Sequence, residues 1–189
     1  VESDSIKISG LAVKNFTNQF SRRKTTQTIQ DYLIEESLVG ISDVDTRAIV
    51  RHIRSKGAMN CIISSETTDI DVLTAKLNEV PDMNGLELAS RVSTTTPYYI
   101  GNSDAEKKVI VYDFGVKKSI LENIAIRGCY LKVVPAKTKF EDTLDFKADG
   151  YFISTGPGDP ASMGYAVETV KQILQNDKPL FGICLGQQL

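Results

Sequence analysis

Cys184 has the neighbours that covalent chemistry requires. It lies in Phe181-Gly182-Ile183-Cys184-Leu185-Gly186, an apolar run that reads as a strand, ends in G-x-C-x-G and opens a helix. This is the cysteine version of the nucleophile elbow. So tight a turn needs small residues two positions either side of the nucleophile, because a Cβ at 182 or 186 crowds the backbone. The turn lifts the sulfur toward solvent at the carboxyl end of a sheet, where parallel α/β folds bind ligands. It also sets Cys184 at a helix N-terminus, whose partial positive charge favours thiolate over thiol. The N–H of Leu185 has no intrahelical partner there and can face a developing oxyanion. The plainer alternative is a buried cysteine at a strand end with two accommodating glycines.

A second feature supports the chemical reading. Ser154-Thr155-Gly156-Pro157-Gly158-Asp159-Pro160 follows the preceding strand run at its carboxyl end, so it is expected beside the elbow. Gly156 and Gly158 allow a sharp turn with N–H groups facing a ligand, while Pro157 and Pro160 stiffen it. No Lys-Ser/Thr follows the glycines and there is no G-x-G-x-x-G, which excludes a phosphate loop. The alternative is a simple strand-to-helix turn. His52 is the single histidine of the chain. It falls in a different part of the sequence and reads as a surface or packing residue, so a histidine base is expected from outside these residues.

Composition narrows the class. With 22 basic and 24 acidic residues the formal net charge is −2, which offers no electrostatic footprint for nucleic acid. No apolar run approaches the roughly 18 residues of a membrane span, and no signal-peptide pattern is visible. Three cysteines without a C-x-x-C argue against a disulfide framework or a thiolate metal cluster. The expected compartment is the cytoplasm. Cys61 and Cys129, in or beside apolar runs, are expected in the core.

The elements that must position the two loops follow from the hydrophobic rhythm. Apolar runs at 109–112, 130–134, 150–154 and 179–183 read as strands, and residues 119–127 and 165–175 carry helical spacing. Alternation of this kind predicts β-α-β units and a parallel sheet covered on both faces. The first half is less regular. It suggests a strand at 6–13, helices at 28–36, 45–56 and 69–77, and a strand at 61–63. On the 45–56 helix, Arg47, Arg51 and Arg54 share one face, opposite Ile49 and Ile53. That stripe is either a solvated face or a docking site for an acidic partner. Residues 92–104, with Ser93, three threonines, Pro97, Gly101, Asn102 and Ser103, have the composition of a linker, and a linker at 98–107 divides the chain into 1–97 and 108–189. Val1 at the start, and residues 185–189 opening a helix that does not finish, suggest part of a longer polypeptide.

The two loops together resemble those of class I glutamine amidotransferases. The likeness extends over residues 41–54 (ISDVDTRAIVRHIR), 56–59 (KGAM), 111–117 (VYDFGVK), 127–129 (RGC) and 133–136 (VVPA), which are similar to the carbamoyl phosphate synthetase small-subunit family. This resemblance implies an α/β fold: a small α+β amino-terminal domain, then an incomplete, flavodoxin-like parallel-sheet amidotransferase domain. It implies that Cys184 attacks the carboxamide of L-glutamine, giving a thioester and ammonia. The N–H groups of Leu185 and Gly156 would stabilise the oxyanion, and Gly158 and Gln188 would help hold glutamine. The partner implied is a large subunit that makes carbamoyl phosphate. ATP and Mg are expected on that subunit, with no cofactor or metal in this chain.

Two departures qualify the likeness. Gln187 stands where the family has histidine, and the family's H-x-E pair lies downstream of the elbow, beyond Leu189. Residues 1–189 by themselves are therefore expected not to turn over glutamine. Two alternatives remain at this point. One is another amidotransferase, such as that of anthranilate or GMP synthesis, against which the 1–97 module speaks. The other is a non-catalytic, degenerate small subunit that acts as a binding partner of a synthetase.

Overall fold

The apolar runs of the second half become strands because each can bury side chains on both faces. In the computed structural model, which describes residues 8–19, 27–82 and 85–189, β4 (Lys107–Asp113) is flanked by β5 (Cys129–Pro135) and β6 (Gly150–Ile153), and β7 (Leu180–Gly182) lies beyond β6. These four pair in parallel. Ile110 and Tyr112 of β4 and Tyr151 and Ile153 of β6 point to one face, Val111 and Phe152 to the other. The first face is covered by α6 (Gly164–Gln175) through Ala166 and Ile173, the second by α5 (Lys118–Ala125) through Leu121. Runs that are apolar throughout, rather than alternating, are what two covered faces require.

The sheet is mixed rather than wholly parallel. Tyr98–Ile100 forms β3, which pairs antiparallel with β5 in the register Tyr98↔Val133 and Ile100↔Leu131. This corrects the reading of 98–107 as a linker. Tyr-Tyr-Ile has strong strand propensity, but the threonines before it and Gly101, Asn102 and Ser103 after it mask the signal. Tyr98 and Ile100 turn toward the second core face, while Tyr99 stacks on Tyr130 with ring centroids 5.6 Å apart. Upstream, one helical turn, α4 (Ala89–Val92), with its fully buried Ala89, also joins this unit. The boundary between the two compact units accordingly falls near residue 84, well before 98.

Taken in chain order, the four parallel strands lie 2-1-3-4, the flavodoxin-like arrangement. The order reverses between β4 and β6. In sheets of this order the carboxyl ends of the strands beside the reversal are where ligands bind, and the glycine loop leaves one of them, β6.

The smaller unit is described by itself. β1 (Gly10–Ala12) pairs in parallel with β2 (Val39–Ile41) across α1 (Ile29–Glu35), which Thr28 and Asp31 start with a capping box. Only part of the strand expected at 6–13 lies within the described residues. α2 (Thr46–Lys56) begins at Asp45, whose carboxylate accepts from the Ala48 N–H at 3.0 Å, and ends at Gly57 with φ +91°. α3 (Ile70–Asn78) is capped in the same way by Asp69. The strand expected at 61–63 is absent. These residues pair with no described strand, although the Ile63 side chain reaches Gly10 of β1, and Cys61 is exposed rather than in a core. Arg47, Arg51 and Arg54 are exposed, and Ile49 and Ile53 on the same helix are each 40% exposed. No described helix is long and apolar enough to cross a membrane.

Leu131, fully buried on β5 among Val111, Leu121 and Phe152, gives a direct test of this core. Leu131→Ala is expected to cost about 2–5 kcal/mol in equilibrium urea unfolding. Leu144→Ala, at a position half exposed to solvent, is expected to cost far less.

Candidate active site

Gly182 and Gly186 show how closely the elbow is drawn together. A Cβ on Gly182 would lie 2.6 Å from the carbonyl carbon of Gly186 and 3.0 Å from the Gln187 nitrogen. A Cβ on Gly186 would lie 2.7 Å from the carbonyl carbon of Ile153, the last residue of β6. Ile183 donates its N–H to that same Ile153 carbonyl at 3.1 Å. Only glycine at 182 and 186 lets β7 turn into α7 (Leu185–Gln188) while the turn rests on the end of β6.

Between the glycines, Cys184 has φ +56° and ψ −113°. L side chains rarely occupy this region, and holding one there costs of order 1–3 kcal/mol. The surroundings impose it. Leu185, 2% exposed, anchors α7 in the first core face, and the turn is closed by Gly186 N–H to Ile183 (3.1 Å) and Gln187 N–H to Cys184 (3.0 Å). Neither bond uses the Leu185 N–H. Cys184 itself is exposed, which disposes of the buried-cysteine alternative. Gln187 and Gln188 are also exposed.

The glycine loop starts where β6 ends, beside the elbow. A Cβ on Gly156 would lie 2.8 Å from the Phe114 Cβ, so the loop presses against the residue that follows β4. Ser154 is fully buried, and its hydroxyl accepts from the Phe114 N–H at 2.9 Å and donates to the Thr155 carbonyl. Gly158 has φ +109°, and a side chain there would meet the Leu86 carbonyl oxygen and the Leu88 nitrogen, each at 3.0 Å. Asp159 donates its N–H to the Leu86 carbonyl at 3.1 Å and accepts from the N–H groups of Gly85 and Ala161. The loop is thus clamped from below by Phe114 and from the side by residues 85–88. Cys184 and Leu185 thus follow β7, and Gly156 and Gly158 follow β6, two strands that pair side by side in parallel.

Two parts of this arrangement lie outside the site residues expected from the sequence. Asp113, at the end of β4, is buried; one carboxylate oxygen accepts from the N–H groups of Gly115 and Val116, both at 2.9 Å, and the other from Thr94 at 2.7 Å. It ties the β4 turn to the chain entering the sheet. Residues 85–88, assigned by composition to the amino-terminal module, form one wall of the glycine loop. Asp-Phe-Gly after a strand signals the first, since Gly115 adopts φ +112°. Nothing local signals the second.

Among the described residues no group of three or more His, Cys, Asp or Glu is placed to hold a metal ion. What the site offers is an exposed thiol on a strained turn, backbone N–H groups and a stiffened glycine loop. That combination, on a 2-1-3-4 sheet, defines a class I glutamine amidotransferase domain, and the family model described as "Glutamine amidotransferase class-I" matches residues 110–189. The model described as "Carbamoyl-phosphate synthase small chain, CPSase domain" matches residues 1–63. The chain belongs to the carbamoyl phosphate synthase small chain family. It is 39% identical over 190 residues to the small chain of Chlorobaculum tepidum, covering 100% of this chain and 52% of that protein. It is 40% identical over 204 residues to that of Vibrio vulnificus, covering 100% and 54%, and 38% identical over 204 residues to that of Escherichia coli K12, covering 100% and 53%. The chain spans about half the length of the curated relatives it matches.

The geometry makes a simple demand on residue 186. Gly186→Ala is expected to destabilise the protein by about 1–3 kcal/mol in denaturant unfolding. Gly164→Ala, where an added Cβ meets nothing within 4 Å, serves as the neutral control.

Proposed function

We propose that this chain carries the nucleophile and glutamine-binding loops of the glutaminase subunit of a glutamine-dependent carbamoyl phosphate synthetase, working in the cytoplasm with a large subunit. The observation that supports this most directly is Cys184 held exposed at φ +56° at the carboxyl end of β7. A structural cysteine has no need of that strain; a nucleophile has.

In the proposed reaction the Cys184 sulfur attacks the carboxamide carbon of glutamine as a base removes its proton. The tetrahedral oxyanion is held by the N–H groups of Leu185 and Gly156, each donor of this kind being worth about 10²–10³ in rate. Collapse breaks the carbon–nitrogen bond, the same proton passes to the leaving nitrogen, and ammonia departs. Water then hydrolyses the thioester to glutamate and restores the thiol. Gly158 and Gln188 orient the substrate. Ammonia passes to the large subunit, which would bind the ATP and Mg for carbamoyl phosphate synthesis in the arginine and pyrimidine routes.

The base is the part these residues do not supply. The thiol must give up its proton as it attacks and the leaving nitrogen must gain one, so the reaction needs a base that can return the proton. His52 is exposed on α2, in the smaller unit. The base and its carboxylate partner are therefore assigned to the histidine and glutamate of an H-x-E motif outside residues 1–189, and these residues alone are expected to be inactive.

In the full-length protein assembled with its large subunit, Cys184→Ser is expected to abolish glutamine-dependent carbamoyl phosphate synthesis while ammonia-dependent synthesis continues. Full glutamine-dependent activity in that variant would refute the assignment and favour a scaffold role. The exposed Arg47 and Arg51 on α2 fit an acidic surface of the large subunit. Replacing both with Glu is expected to weaken co-purification and remove its salt sensitivity; unchanged association would make them a solvated face.

A further inference from the structure

Glu87 lies in the stretch whose backbone forms the wall of the glycine loop, and its side chain is one of the most fully engaged in the larger unit. Its carboxylate accepts from the Tyr165 hydroxyl at 3.0 Å and from the Ser90 N–H at 2.8 Å, and the Ser90 hydroxyl bonds the second oxygen. Lys137 stands 3.9 Å away, with its ammonium 5.6 Å from the Tyr165 ring centre. Tyr165 is on the first turn of α6, the helix that the glycine loop leads into. Its ring meets that of Phe114 edge-on, at 6.4 Å and 84°. Phe114 is the residue on which Gly156 rests, and Leu86 and Leu88, either side of Glu87, are the residues on which Gly158 rests.

We propose that Glu87 is a positioning residue for the glutaminase reaction, latching residues 85–88 to Tyr165 so that the backbone at Gly156 and Gly158 is held where glutamine and its oxyanion are bound. The inference rests on the proposed glutaminase reading and adds to it a residue that touches no substrate. Two paths leave this carboxylate and converge on the loop. One runs through its own backbone neighbours to Gly158, the other through the Tyr165 and Phe114 rings to Gly156. Backbone donors must be placed to within fractions of an ångström to act on an oxyanion, and a loop with two glycines does not hold itself.

The polarity of the latch is settled at neutral pH. Burial works to raise the Glu87 carboxyl, but the Ser90 hydroxyl and N–H, the Tyr165 hydroxyl and Lys137 together outweigh it and keep the group below its ordinary value. Burial, then the bond to Glu87, raises the Tyr165 phenol. Glu87 is thus an ionised acceptor and Tyr165 a protonated donor, a charge-assisted pair. The Lys137 contact is long and solvent-facing and contributes little.

The test uses the full-length protein assembled with its large subunit. Glu87→Ala and Tyr165→Phe are each expected to lower kcat/KM for glutamine by about three- to tenfold. The double variant should be no worse than the weaker single, because both remove one interaction, and Glu87→Gln, which keeps an acceptor, should recover part of the loss. The rate at which iodoacetamide alkylates Cys184 should stay unchanged, since that reagent needs the elbow but not the glycine loop. A kcat/KM within twofold of the parent in both single variants overturns the proposal, as does a parallel fall in alkylation rate. Tyr165→Phe keeps the ring on Phe114, so it decides the matter should Glu87→Ala fail to fold. Cys184→Ser is measured alongside. If it still hydrolyses glutamine, the glutaminase reading fails; if it is inactive while Glu87→Ala is unimpaired, only the latch fails.

Discussion

The elbow turns against the end of β6 with no room for a side chain, and the site depends on that contact. Gly186 sits so close to the Ile153 carbonyl that a Cβ would overlap it, while Ile183 donates to the same oxygen. One carbonyl therefore sets the distance between the strand that leads into Cys184 and the strand that leads into the glycine loop. Leu185 fixes the other side of the turn by burial in the core. Cys184, caught between these restraints, takes up the strain and projects outward. Strain of this kind persists only where packing over-determines it, and here a backbone contact and a buried leucine supply the restraint.

A second constraint comes from strand order. The order reverses between β4 and β6, and the chain leaving each of these strands is held by its own buried polar group. Asp113 gathers three N–H groups at the end of β4, and Ser154 bonds across from the end of β6 to Phe114. Phe114 is common ground: it follows β4, supports Gly156 and meets Tyr165. Buried donors and acceptors that are fully paired resist displacement because unpairing them costs their desolvation. The glycine loop can thus be flexible in sequence and rigid in place.

The two units differ in how they are built. The larger has a sheet covered on both faces and a core of fully buried aromatic and aliphatic residues. In the smaller, Leu33 is the buried apolar residue among those described, and Ile34, Ile49, Val50 and Ile53 stand largely open. Its helices are well capped by Thr28, Asp45 and Asp69, so local order there comes from termini and turns more than from a core.

Local chemistry was enough to read much of this in advance. The Asp45 cap and Gly57 stop delimit α2, the apolar runs at 109–112 and 130–134 mark buried strands, and the spacing of Gly182, Cys184 and Gly186 announces a tight turn around an exposed cysteine. Each of these is carried by residues within a few positions of one another. What the chain could not disclose is anything that depends on a distant partner. The run at 61–63 has a strand's composition but joins no described sheet, whereas Tyr98–Ile100, hidden in a linker-like stretch, finds β5 and becomes an edge. Glu87 reads as an ordinary acidic residue until folding brings it to Tyr165, 78 positions away. Propensity and spacing act along the chain, while pairing and clamping act across it, and only the tertiary structure decides which residues meet.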